Sequence, residues 1–119
     1  MPFQRIVDEL VESTPGATGV ILADAEGESI VCAGSADEYD LRLLAAHKGI
    51  ILGQVQEVNS RLFGACSSEL VVTTDTGRCI VGTVGTDYSL SMTLNRNAPV
   101  GPALYRFSEA RELLVKEIY

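Results

Sequence analysis

The sequence predicts an α+β domain built on an antiparallel sheet, and three observations carry that prediction. Apolar residues recur with helical period near both ends of the chain and through its middle. Between these stretches lie five short apolar or alternating runs that read as strands. The runs come as a pair and then a triplet, joined by tight polar turns as hairpins are. The resulting order is α-β-β-α-β-β-β-α.

Phe3, Ile6, Val7, Leu10 and Val11 fall at i, i+3, i+4, i+7 and i+8, one face of a first helix. "STPG" (13–16) ends it, with proline and glycine just past the last periodic residue. "ATGVILAD" (17–24) is apolar on both alternations, which predicts a strand covered on both faces. "AEG" (25–27) turns the chain into "ESIVCA" (28–33), closing a first hairpin.

A long helix follows, from about residue 38 to Leu62 with its stop near Gly64. Ser35 and Glu38 have capping-box spacing, and Asp37 is an equally good N-cap. Leu41, Leu44, Ile51, Leu52, Val55, Val58 and Leu62 spread apolar surface over more than one face of this helix. One face suffices for a helix lying on a sheet with its back to water, so a second suggests a partner. Ala45, Gly49 and Gly53 leave one stripe of the helix with no side chain larger than a methyl group. Each interior glycine costs about 1 kcal/mol relative to alanine. The thinning therefore points to close approach, either to the protein's own sheet or to another helix.

"SELVVTT" (68–74), "DTG" (75–77) and "RCIVGTVG" (78–85) form a second hairpin, which "TDYSLSMTLN" (86–95) extends. In that last strand Tyr88, Leu90, Met92 and Leu94 alternate with Ser89, Ser91 and Thr93. "RNAPVGP" (96–102) reads as loop, and Leu104, Phe107, Leu114 and Ile118 mark a closing helix. The doubly apolar first strand belongs in the middle of the sheet beside the fifth, which leaves "ESIVCA" and "SELVVTT" as edges. The second edge is a hazard, because Leu70, Val71, Val72, Thr73 and Thr74 are uncharged, β-prone and free of proline. Such an edge invites another strand, and pairing with a second copy is the expectation.

At 119 residues the chain is expected to be a single domain over 1–119. No apolar run approaches the roughly 20 residues needed to span a bilayer, and no leader pattern opens the chain. A cytoplasmic protein without membrane insertion is expected. Nine basic against sixteen acidic residues give a formal net charge of -7. That balance argues against nucleic acid or anionic lipid as the main ligand. Cys32, Cys66 and Cys79 form no CxxC pair, and an odd count suits reduced thiols.

Chemistry is hard to find. Neither GxxxxGK[ST] nor GxGxxG is present. His47 is the only histidine and has no second histidine or cysteine at i+3 or i+4, so neither a metal nor a cofactor is expected. Cys66 could be exposed, but along a helix it lies roughly 28 Å from His47, too far for a dyad. The acidic clusters "ADAEGE" and "ADEYD" fall at a turn and a helix start, where carboxylates serve turns and caps. No catalytic set emerges, and the chain is not expected to be an enzyme.

The element order and the stretches "GATGVILADAEGESIVCAG" (16–34), "DLRLLAAHKGIILGQV" (40–55) and "YSLSMTLNRNAPVGPALYRFSEARELL" (88–114) together resemble the roadblock / dynein light chain family. Its bacterial and archaeal MglB-like members are the most similar. The resemblance covers nearly the whole chain and rests on pattern, not on one invariant motif. It implies a profilin-like sheet of order 2-1-5-4-3, with the long helix on one face and the first and last helices on the other.

It further implies a homodimer, or a dimer with a related roadblock protein, formed by pairing third strands with the long helices side by side. Ala45, Gly49 and Gly53 would then join residues 70–74 at the interface. MglB-like proteins bind a small Ras-like GTPase on the paired long helices and modulate its nucleotide cycle without an arginine finger. Leu41, Leu44, His47, Lys48, Ile51 and Val55 match that docking surface. The alternative is a small-molecule sensor with a pocket against the sheet. Leu90, Met92, Leu94 and Ile80 offer such a pocket no polar handles.

Overall fold

The computed structural model describes residues 2–26, 28–37, 39–41, 54, 57–58, 61, 69–73, 75, 77–85 and 87–119. A helix α1 (Pro2–Ser13) leads into strands β1 (Ala17–Asp24) and β2 (Ser29–Gly34). After the segment that includes residues 39–61 come β3 (Glu69–Thr73), β4 (Gly77–Val84) and β5 (Tyr88–Asn95). A helix α2 (Val100–Ile118) closes the chain. The strands form one five-stranded antiparallel sheet in the order β2-β1-β5-β4-β3.

Period-two patterning sorts the sheet's side chains onto two faces. On one, Val20, Leu22, Ile80, Leu90, Met92 and Leu94 meet Val7 and Leu10 of α1 and Phe107 and Leu114 of α2. On the other, Ile21 and Ala23 of β1 pack with Leu41, while Cys79 and Val81 of β4 pack with Leu70. β1 is thus buried through both alternations, as its uninterrupted apolar run requires. On the serine side of β5, Ser91, paired with Ile21 and Val81, is only 1% exposed, between the half-buried Ser89 and Thr93. The Thr18 and Thr93 hydroxyls satisfy each other there at 2.7 Å.

Two features depart from expectation. Residues 96–102 are not all loop, because α2 begins at Val100, directly after Pro99. Pro102 falls within the first helical turn, where the missing N–H would have no intrahelical acceptor and costs nothing. The extra turn sets Ala103 fully inside the core. At the other helix start, between the two caps the sequence left open, Asp37 acts: its Oδ1 accepts from the Tyr39 N–H at 2.8 Å and the Asp40 N–H at 3.3 Å. Among the described residues no helix is long and apolar enough to cross a membrane.

Candidate functional site

The two margins of the sheet are treated differently. β2 lies beside α1, whose Gln4 Nε2 donates to the Cys32 carbonyl of β2 at 2.9 Å. A side chain from a packed helix thus gives this edge a polar partner besides β1, one of the ways folds blunt an edge. β3, at the opposite margin, has β4 as its strand neighbour, in the register Glu69↔Gly82 to Thr73↔Arg78. Its side chains alternate by face. Leu70 and Val72 are half-buried toward Val81 and Cys79. Val71 and Thr73 are exposed, Val71 at 38%. The strand whose uncharged run was expected at an edge is therefore at one among the described residues, and its apolar side chains are incompletely covered.

Of the residues expected at the dimer interface, β3 brings Leu70, Val71, Val72 and Thr73 together. Thr74, Ala45, Gly49 and Gly53 lie outside the described residues, as do Leu44, His47, Lys48, Ile51 and Val55 of the expected docking surface. Cys66 lies outside them too. Leu41 is a correction. It is 2% exposed and packs on Ile21 and Ala23, so it is core and not docking surface. The physical reason is local: Asp37 starts the helix so that Leu41, one turn on, lands on the sheet. The described helical residues further along, Gln54, Glu57, Val58 and Arg61, are exposed. Glu57 and Arg61 form an exposed pair at 2.8 Å, while Val58 presents an apolar side chain 54% open to solvent.

One polar cluster near β3 escaped the sequence reading. Arg111 of α2 donates from Nη1 to Glu69 Oε1 at 2.8 Å and from Nε to the Thr83 carbonyl at 2.7 Å. Ser108 Oγ donates to the same Glu69 oxygen at 2.8 Å. The partners are 42 positions apart in sequence, beyond any periodicity signal. The available hint was Gly82, a glycine inside a strand, which marks close approach by another element. No group of three or more histidine, cysteine or acidic side chains among the described residues could hold a metal ion.

This geometry has clear relatives in fold. A Roadblock/LC7 domain from Streptomyces avermitilis superposes with a TM-score of 0.88 at 19% identity, over 97% of this chain and 96% of that one. Myxococcus xanthus MglB gives 0.86 at 20% identity, over 98% and 94%. Acanthamoeba castellanii profilin IA gives 0.70 at 12% identity, over 98% and 99%, so the fold is profilin-like. No curated protein matches the sequence. Residues 3–93, most of the chain, match the Roadblock/LC7 domain. With the sheet order, the flanking helices and that match in agreement, the chain belongs to the Roadblock/LC7 family.

Proposed function

We propose that the chain is a dimeric regulator or scaffold that binds a small Ras-like GTPase and modulates its nucleotide cycle. The observation that carries this reading is the place of β3 at the margin of the sheet among the described residues, with its uncharged run 70–73 and with Val71 exposed. An open edge with apolar side chains is completed by another strand of the same kind. A second copy, or a related roadblock protein, supplies it. Leu70, Val71, Val72 and Thr73, with Thr74 beyond them, form the pairing segment, and Ala45, Gly49 and Gly53 let the long helices approach across the dimer.

The docking surface is the outward side of those helices. Val58 is its described apolar member. Ile51 and His47 precede Val58 by seven and eleven positions, the spacing of one helical stripe. Leu44, Lys48 and Val55 flank that stripe. The chain positions the GTPase's own catalytic groups and contributes none itself, so it hydrolyses no GTP alone.

The test is binding of the same organism's Ras-like GTPases, loaded with GDP or a GTP analogue, to the parent protein and to Ile51→Asp. Binding should prefer one nucleotide state, because a ligand equally tight to both shifts nothing. Ile51→Asp should cost more than the rim change Lys48→Ala. Absence of binding in both states across all such GTPases overturns the reading. Binding that survives Ile51→Asp unchanged removes the long helix as its site.

A further inference from the structure

We infer that Arg111 is the positioning residue of the β3 edge, so that the strength with which this edge associates is set from α2. The inference rests on the reading of β3 as a pairing strand and adds to it the group that controls it. β3 is a five-residue strand with Val71 and Thr73 exposed, and short, thinly covered edge segments sit at the low end of local stability. A strand that is not held in place before association must be ordered during it, and that ordering weakens binding.

Arg111 supplies the hold. α2 packs over β4, and its arginine crosses β4 at Gly82, the residue that stands opposite Glu69 in the β3–β4 register. A Cβ on Gly82 would lie 2.9 Å from Arg111 Nε and 3.0 Å from its Cδ, so a bare backbone there is what lets the side chain pass. Its guanidinium is then fixed by Glu69 on β3 and by the carbonyl and hydroxyl oxygens of Thr83 on β4. Arg111 and Glu69 are only 17% and 26% exposed, so solvent and salt screen this pair less than a surface one. Ser108 adds a second bond from α2 to the same carboxylate. The link thus joins a helix anchored by fully buried Phe107 and Leu114 to the first residue of the free edge.

Amide hydrogen exchange and sedimentation on the whole chain test this. Arg111→Met keeps an aliphatic stem over Gly82 and removes the guanidinium. It should speed exchange at residues 70–73 about tenfold, as loss of a charge-assisted bond at a locally opening strand predicts, and leave β1 and β5 unchanged. The dimer dissociation constant should rise as well, because the fraction of chains with β3 in place enters it once for each of the two copies. Glu69→Ala, at a partly exposed position, should reproduce both effects even if Arg111→Met fails to fold. The double variant should do no more than the stronger single one, since both cut one link.

Unchanged exchange at 70–73 in Glu69→Ala overturns the inference, as does additivity in the double variant, which would make Arg111 a packing residue only. Faster exchange with an unchanged dissociation constant overturns the claim that the link sets association. A parent protein that is monomeric at all concentrations refutes the pairing reading and with it that claim. The exchange result then still decides whether Arg111 holds β3.

Discussion

Leu41 closes over Gly19: a Cβ built on this β1 glycine would stand 2.9 Å from Leu41 Cδ2 and 3.0 Å from the Ala36 Cβ. The contact joins the start of the long helix to the middle of the sheet, and Leu41 has little room to yield because it is 2% exposed. Overpacking a filled site costs about 1–3 kcal/mol. Gly19→Val should therefore lower stability by about that amount, read as a shift in urea midpoint with unchanged slope. A midpoint equal to the parent's would mean that the helix start is free to move off the sheet.

Phe107 is fully buried among β-strand and α1 side chains, whereas Tyr105, two residues earlier on α2, is 64% exposed. Phe107→Ala should cost about 3–5 kcal/mol through lost burial and the cavity left behind. Tyr105→Ala, which loses only a surface ring stacked near Arg106 at 5.9 Å, should stay within about 0.5 kcal/mol. Thermal or urea unfolding of the two variants separates them, and similar losses in both would contradict the assignment of α2's inner face.

The contrast between these helix positions shows what a sequence can and cannot reveal. Strand β1 was legible to the residue, because an apolar run bounded by glycine and aspartate has one local interpretation. The edges β2 and β3 were legible as edges by elimination, since the doubly apolar strand had to be central. The start of α2 was misread because Pro102 and Gly101 look like loop residues, yet a first turn tolerates both. Leu41 was expected on the docking surface because the resemblance carries a whole helix face over, and the periodicity of the helix could not say that this residue meets the sheet. Arg111 and Glu69 were invisible as a pair, since only the folded register brings them together.

The small-residue stripe of the long helix gives a further prediction, made from the sequence. If Gly49 and Gly53 allow close approach, Gly49→Leu or Gly53→Leu should cost about 1–3 kcal/mol of fold or dimer stability through overpacking. Alanine at the same positions, where space is open, should gain about 1 kcal/mol of helix propensity. Leucine variants that melt and associate like the parent would show that the stripe faces water.

The β3 edge makes the sharpest demand. In an antiparallel ladder the N–H groups of successive residues point alternately to the two sides of the strand. Of Val71 and Val72, paired with Ile80 and Cys79, one therefore donates toward β4 and the other toward the open margin. Proline removes the donor at whichever position it replaces. Val71→Pro and Val72→Pro should accordingly behave unalike. The variant whose lost N–H faced outward should keep a folded protomer and lose self-association. The other should lose β3–β4 pairing, and with it stability, as well as self-association. Light scattering at graded micromolar concentrations, with circular dichroism melting of both variants, reads the two effects apart. A parent that scatters as a clean monomer refutes edge pairing outright. If instead the parent is a dimer and both proline variants keep its mass, then the copies meet elsewhere and β3 is an edge the molecule leaves unused.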